Sequence, residues 1–309
     1  MMKQKKSLKF KIFTGIAIFL LILVSGFFIY VSSYYKADSL ALESLESDSL
    51  VKVEENGDIL FEPVSNAKNI GFIFYPGAKV ESSAYATIAK EIASNGYTVI
   101  IAKMNFNLAI LSPNRADSII NNYKDIDTWV IGGHSLGGVM ASNYALKNDK
   151  IKGLVLLASY PQDKTDFTSK PIKVLSLWGS NDKIADLNKV KEAKNVMPSD
   201  SEFIEIKGGN HGGFGDYGHQ KGDGESSITN KQQMMDTSKY IIELLDSLNG
   251  SLEESWLESP TKNSISGGFD AQDMLMPTLS HGCDAFSRPY PPLIYKGTLA
   301  KNTTSCGNA

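Results

Sequence analysis

The chain has 309 residues, of which 42% are hydrophobic and 21% charged, an ordinary composition for a globular protein with a sizeable core. Its net charge of -3 excludes a strongly basic protein, so we expect no nucleic-acid partner. Both cysteines, Cys283 and Cys306, lie near the C-terminus. Residues 1–282 must therefore fold without disulfide bonds or thiolate metal sites.

The N-terminus has the pattern of a membrane anchor. Residues 12–31 carry no charge, and a helix of that length spans about 30 Å, the thickness of a bilayer core. Lysines crowd residues 1–11 and acidic residues follow the apolar run, which predicts a cytoplasmic basic stub with the rest of the chain outside. A cleaved signal peptide, which would leave a secreted protein, is the alternative. The apolar region is unusually long for one.

Strands and helices are predicted to alternate through residues 51–248. Residues 32–50, which are acidic and rich in Ser and Leu, precede them as a linker or short helix. Asn56-Gly57-Asp58 then marks a hairpin. The predicted strands cover residues 51–53, 59–62, 70–75, 97–102, 128–132, 151–158, 172–178 and 202–206, and the helices 82–95, 115–123, 136–147, 187–195 and 230–248. This rhythm predicts an α/β fold, a mostly parallel, doubly wound sheet with helices on both faces.

The C-terminal stretch, residues 249–309, has a different character. Its hydrophobic periodicity vanishes, and Ser, Gly, Pro, Asn and Thr become frequent. Pro289-Tyr290-Pro291-Pro292 forbids regular structure locally. We expect a disordered tail.

A short stretch around Ser135 has the pattern of a nucleophile. Gly133-His134-Ser135-Leu136-Gly137 matches G-x-S-x-G between a predicted strand and a predicted helix. A Ser on such a turn projects its hydroxyl above the sheet, and the helix that follows directs its N-terminal N–H groups at charge developing there. The bare pattern is common by chance, and a plain glycine-rich turn is the alternative.

Two later residues complete a catalytic triad in the order Ser, Asp, His. Asp182 follows the strand ending at Trp178, and His211 follows the last strand in a glycine-rich loop. A Ser hydroxyl needs a base within hydrogen-bond reach and a third group to orient that base. Asp182 could instead serve only its turn. The weaker alternatives are Asp163 and Asp186 for the acid and His219 for the base, and His134 is interpreted as a packing or hydrogen-bonding residue.

An oxyanion hole is predicted from two backbone N–H groups. One belongs to Leu136, the residue after the nucleophile, and the other to the loop that follows the strand ending at Tyr75. Pro76 has no N–H, which leaves Gly77 or Ala78 as the second donor. The alternative is a plain strand–helix turn.

Four motifs in residues 51–248 resemble bacterial α/β-hydrolases of the dienelactone-hydrolase-like, single-domain group. They are residues 74–80, 133–138, 178–182 and 208–218. The resemblance implies an ester hydrolase with an eight-stranded sheet, one early strand of which is antiparallel. Similar sequences follow an N-terminal anchor in the bacterial cell membrane, which would place the catalytic domain outside the cytoplasm. Dienelactone hydrolases proper use Cys as the nucleophile, whereas this chain has Ser135.

The loop expected to carry a lid is short. Residues 159–170 separate two predicted strands by only a dozen residues, so we expect no cap domain and an open, shallow site for a small-molecule ester. No cofactor or metal is expected, because Gly222-Asp223-Gly224 lacks the full calcium-loop pattern. An acyltransferase with the same triad and a non-catalytic surface binding module remain alternatives. The sequence does not indicate an oligomeric state.

Overall fold

The computed structural model describes residues 8–258, and these contain an eight-stranded sheet flanked by helices. The strands are β1 Val51–Asn56, β2 Asp58–Pro63, β3 Ile70–Tyr75, β4 Thr98–Ile101, β5 Thr128–His134, β6 Ile151–Leu157, β7 Lys173–Gly179 and β8 Glu202–Ile206. The helices are α1 Leu8–Ser32, α2 Ser39–Ser44, α3 Ala86–Ser94, α4 Arg115–Asn122, α5 Leu136–Lys147, α6 Leu187–Glu192 and α7 Asn230–Glu258.

The sheet has the strand order β1-β2-β4-β3-β5-β6-β7-β8. β2 runs antiparallel to both of its neighbours, and every pairing from β4 to β8 is parallel. All residues of β3, β4 and β5 are buried, because helices cover both faces of a parallel sheet and its strands therefore become continuous apolar runs. The predicted α/β-hydrolase architecture, with its early antiparallel strand, is confirmed.

The two faces of the sheet bury separate hydrophobic cores. One core joins the sheet to α3 and α7, and the other joins it to α4 and α5. Alternate residues of a strand point to opposite faces, so Val130 of β5 enters the first core and Ile131 the second. These cores fix the strand ends, where the loops begin.

The parallel strands all end at one edge of the sheet, which we call the C-terminal edge. The loops there comprise residues 76–81 after β3, 102–114 after β4 and 207–229 after β8. Residues 158–172, between β6 and β7, contain no helix or strand, so no cap domain is inserted at that point. Ligand sites of open α/β sheets lie at this edge.

The segment predicted as a linker or short helix contains the short helix α2 and is partly packed on the domain. Tyr35 forms a parallel bridge with Val80. In α2, Ala41 is fully buried and donates its backbone N–H to Asp216 Oδ2 at 2.9 Å. A short amphiphilic helix buries its apolar face wherever a matching surface exists, and α3 supplies one here.

Both ends of the described chain are helical. α1 is long and apolar enough to cross a membrane, a property that a signal sequence shares. α7 continues to Glu258, which corrects the predicted end at Leu248 by ten residues. Residues 249–258 contain no proline, the residue that most strongly interrupts a helix. The part of the predicted disordered tail from residue 259 onward, which includes Cys283 and Cys306, lies outside the described residues.

Candidate active site

Ser135 lies on a strained turn between β5 and α5. Its backbone has φ 52° and ψ -123°, a region that non-glycine residues rarely occupy. The two flanking glycines are required by close packing. A Cβ atom on Gly133 would lie 2.5 Å from the carbonyl carbon of Gly137, and one on Gly137 would clash with the carbonyl oxygens of Tyr75 and Pro76. The strain therefore persists because the surrounding backbone leaves no alternative.

Hydrogen bonds to the neighbouring strand fix this turn. The backbone N–H of Ser135 donates to the carbonyl oxygen of Leu157 at 2.9 Å. The carbonyl oxygen of Ser135 accepts a hydrogen bond from the Ser159 hydroxyl at 2.8 Å. The Ser135 side chain is left half-buried at the C-terminal edge.

Asp182 and His211 form a buried pair. The His211 Nδ1 atom lies 2.8 Å from Asp182 Oδ2, and the two side chains are 2% and 0% exposed. The other carboxylate oxygen, Oδ1, accepts the backbone N–H groups of Ile184 at 2.8 Å and Ala185 at 2.9 Å. Both oxygens of Asp182 are therefore occupied, which fixes the carboxylate and directs Nε2 of His211 away from it.

The sheet brings Ser135, Asp182 and His211 to the same edge, where they follow β5, β7 and β8. No hydrogen bond between described residues joins the Ser135 hydroxyl to His211. Catalytic hydrogen bonds are often long before substrate binds. The ring of His134, the residue before Ser135, lies beside His211, with 4.5 Å between the two ring centroids.

His134 has the packing and hydrogen-bonding role expected from the sequence. Its Nδ1 atom lies 2.9 Å from the Tyr85 hydroxyl, and its side chain is buried. Burial, and then the nearby His211 ring, lower the pKa of His134 well below its ordinary value. Burial also raises the pKa of Tyr85. Both groups are therefore neutral at physiological pH.

Backbone hydrogen bonding in the loop after β3 distinguishes its two candidate oxyanion donors, Gly77 and Ala78. The N–H of Gly77 donates to the Tyr85 hydroxyl at 3.0 Å, so it is already in use. Among the described residues, the N–H of Ala78 has no such acceptor, and Ala78 is half-buried. Leu136 is the first residue of α5, where backbone N–H groups lack helical partners. Ala78 and Leu136 are the pair that fits.

Comparison with known proteins identifies the family of the chain. Residues 71–235, slightly more than half of the chain, match the model of the alpha/beta hydrolase family. The chain belongs to the alpha/beta hydrolase family. A predicted CIB-like hydrolase from Thermoplasma acidophilum is a similar solved structure, with 18% identity and a TM-score of 0.47 over 63% of this chain and 100% of that one. No curated protein matches the sequence.

The residues considered as alternatives to Asp182 and His211 have other positions and contacts in the structure. Asp186 is the N-cap of α6, where it accepts the N–H groups of Asn188 and Lys189. Asp163 is an exposed residue of the loop after β6, and His219 is exposed beside a separate small cavity. No hydrogen bond or ion pair between described residues joins any of these three side chains to Ser135, Asp182 or His211.

Three supporting residues of the hydrolase were not predicted from the sequence. Gln233 on α7 is fully buried and bonds both backbone groups of Asn210, accepting from its N–H at 3.0 Å and donating to its carbonyl oxygen at 2.8 Å. Asp223 accepts the N–H of Gly212 at 2.8 Å and that of Lys183 at 3.2 Å, which connects the His211 loop to the Asp182 loop.

Tyr85 is the third supporting residue, because its hydroxyl accepts a hydrogen bond from the N–H of Gly77. Only Asp223 carried any local signal, as part of a glycine-flanked turn. The Asp223 carboxylate accepts hydrogen bonds from backbone N–H groups. The described residues contain no cluster of three or more potential metal ligands.

Proposed function

We propose that this alpha/beta hydrolase is a serine hydrolase that cleaves a carboxylic ester through an acyl-enzyme on Ser135. The observation that carries the proposal is the buried 2.8 Å pair of His211 and Asp182 at the sheet edge where Ser135 is held in strained backbone. The dienelactone-hydrolase-like resemblance supports an ester as the substrate.

Acylation follows from the positions of these groups. The Ser135 hydroxyl attacks the ester carbonyl, and Nε2 of His211 takes its proton, because Nδ1 is held by Asp182. The carbonyl oxygen becomes an oxyanion, which the N–H groups of Leu136 and Ala78 stabilise. When the tetrahedral intermediate collapses, His211 returns the proton to the departing alcohol.

Deacylation reverses the roles. Water attacks the acyl group on Ser135 while His211 accepts one of its protons, and the second tetrahedral intermediate releases the carboxylic acid. The proton on His211 returns to the Ser135 oxygen. The half-buried position of Ser135 gives water and substrate access, whereas Asp182 and His211 are shielded.

The proposed location is a bacterial cell membrane. α1 would be a single-pass signal anchor, because its apolar run is long and lysines precede it. The catalytic domain would then lie outside the cytoplasm, and a secreted form after cleavage is the alternative. The substrate is a small-molecule ester.

The test compares Ser135→Ala with Ser118→Ala, an exposed serine on α4. We expect Ser135→Ala to abolish both hydrolysis of 4-methylumbelliferyl acetate and labelling by a fluorophosphonate probe, with an unchanged circular dichroism spectrum. Ser118→Ala should keep both activities. Parent-level hydrolysis by Ser135→Ala would refute the proposal, and failure of the folded parent to take the label would favour a binding module.

A second comparison tests the base. His211→Ala should lose turnover, and His219→Ala, an exposed histidine eight residues further along, should not. Equal losses in the two variants would contradict the assignment. Transfer of the acyl group to an added alcohol in preference to water would identify an acyltransferase.

A further inference from the structure

The apolar helix α1 joins the domain at the C-terminal edge, next to the candidate oxyanion loop. The rings of Phe27 and Phe28, near the end of α1, pack edge-on against Phe106 at centroid distances of 5.6 and 5.9 Å. Shortly after α1 ends, Tyr35 donates its N–H to the carbonyl oxygen of Lys79 at 2.7 Å. The helix that would enter the membrane is thus attached beside the triad.

Exposed apolar side chains concentrate at the same edge. Phe106, Ile110 and Leu111, in the loop after β4, are 48%, 55% and 44% exposed. Ile184, in the loop after β7, is 39% exposed. Phe106, Ile110 and Leu111, close to one another on one loop, form the type of surface that marks an interaction site. We call residues 105–111 the apolar loop.

The apolar loop has a strained backbone. Phe106 and Asn107 are consecutive non-glycine residues with φ near +55°. This conformation directs Phe106 to α1 and lets the carbonyl oxygen of Asn107 accept the N–H of Lys79 at 2.8 Å. Strain of this kind tends to occur at functional positions. Here it connects α1, the apolar loop and the residue beside Ala78.

The groups around this junction suit a membrane surface. The Lys79 ammonium lies 4.3 Å from the centre of the Tyr30 ring, and Tyr and Lys side chains are typical of the interface between acyl chains and water. A cavity of about 480 Å³ between α1 and the domain is lined by the apolar side chains of Phe28 and Phe106 and by the charged residues Lys103, Glu55 and Glu81. That mixture matches an amphiphile with a polar head and an apolar chain.

We propose that the apolar loop lies in the membrane surface beside α1, and that the substrate of Ser135 is the acyl ester of a membrane amphiphile, which reaches the site from the bilayer. The substrate class rests on the proposed serine-hydrolase function. The bilayer is the occupant because the apolar loop is continuous with α1, whose exposed apolar surface needs the same environment. A soluble protein partner would not account for that continuity.

The first experiment measures membrane contact without using catalysis. The full chain, with Cys283→Ser and Cys306→Ser, receives Ile110→Cys for attachment of a nitrobenzoxadiazole fluorophore. It is reconstituted in vesicles of roughly three parts phosphatidylcholine to one part phosphatidylglycerol, with or without spin-labelled phosphatidylcholine. Leu50→Cys is the matched control, because Leu50 is equally exposed but precedes β1 at the opposite edge. We expect quenching at position 110 and little at position 50. Equal quenching at both positions, or none at 110, would overturn the membrane contact of the apolar loop.

The second experiment tests the substrate class. The rate on 4-methylumbelliferyl oleate embedded in those vesicles is divided by the rate on soluble 4-methylumbelliferyl acetate. Ile110→Ser combined with Leu111→Ser should lower this ratio about tenfold, because less apolar surface enters the membrane. The control, Leu50→Ser with Val64→Ser, should keep the ratio of the parent. An unchanged ratio in the first pair would overturn the substrate class.

The failures of the two proposals are distinguishable. A folded parent that cleaves neither ester and takes no fluorophosphonate label would overturn the proposed function and, with it, the substrate class. The quenching experiment would still decide whether the apolar loop contacts the membrane. Cleavage of the acetate ester with no quenching at position 110 would overturn only the membrane contact.

Discussion

Replacement of Asp182 by asparagine tests the triad with little change of shape. In the protein, Oδ1 of Asp182 accepts two backbone N–H groups, from Ile184 and Ala185, at 2.8 and 2.9 Å. The single amide oxygen of Asp182→Asn must take that position, since an NH₂ group there would face two donors. The amide nitrogen then faces Nδ1 of His211, where the carboxylate oxygen lies now.

The consequence is a change of tautomer in the histidine. An NH₂ group that faces Nδ1 donates to it, so the ring proton moves to Nε2, which can no longer accept the proton of Ser135. The corresponding change in serine proteases lowers kcat by about 10⁴. That factor is equivalent to about 5.4 kcal/mol of transition-state stabilisation at 1.36 kcal/mol for each power of ten.

The assay is the initial rate of 4-methylumbelliferyl acetate hydrolysis by detergent-solubilised protein at neutral pH. Asp186→Asn is the matched control, because Asp186 is four residues away and also accepts two backbone N–H groups, but as a helix cap. Its kcat should stay near that of the parent. A kcat for Asp182→Asn within about tenfold of the parent, or equal losses in both variants, would refute the assignment of Asp182.

Three further changes test the surroundings of the site. Gly137→Ala should lower kcat/KM by about 10², because its Cβ would displace the carbonyl oxygen of Tyr75 and with it the oxyanion loop; steady-state kinetics measure this loss, and parent-like rates would contradict it. Asp223→Asn should lower the free energy of unfolding by about 1–3 kcal/mol. The reason is that an amide cannot accept hydrogen bonds from all the N–H groups that the carboxylate now binds, among them that of Gly212. Urea unfolding measures this loss. The pKa of His134 is depressed below 6.5 in the folded protein, so only the unfolded chain gains this proton as the pH falls, and stability is lost below about pH 6.5. His134→Gln should therefore remove about 1.4 kcal/mol of the stability difference between about pH 7.5 and about pH 5.5, and urea unfolding that shows the same difference in both proteins would disprove it.

The elements of the domain and the placement of Ser135, Asp182 and His211 after successive strands could be predicted because local sequence specifies them. Buried parallel strands leave continuous apolar runs, and the ends of those runs place Ser135, Asp182 and His211 at one edge. The flanking glycines of Ser135 are similarly readable, since only close backbone packing demands Gly133 and Gly137. Pattern and geometry agree wherever the cause lies within a few residues.

The supporting contacts could not be predicted because they join distant segments. Gln233 reaches Asn210 across 23 positions, and nothing in its own helix distinguishes it from Gln232. Likewise, the choice of Ala78 over Gly77 depends on the hydroxyl of Tyr85, which only the folded chain brings to that loop. The packing of the short segment before β1 could not be predicted for the same reason, since its partner, Asp216, is 175 residues away from Ala41.

That last contact bears on how a soluble form of the hydrolase could be produced. Asp216 accepts the N–H of Ala41 through its side chain and that of Asp38 through its backbone carbonyl, five residues after His211. Truncation immediately before β1 would expose Asp216 and leave the His211 loop without this support. Truncation at residue 33 would remove α1 and retain both hydrogen bonds, together with the bridge between Tyr35 and Val80. Expression of the domain should therefore begin near residue 33, well before the first strand.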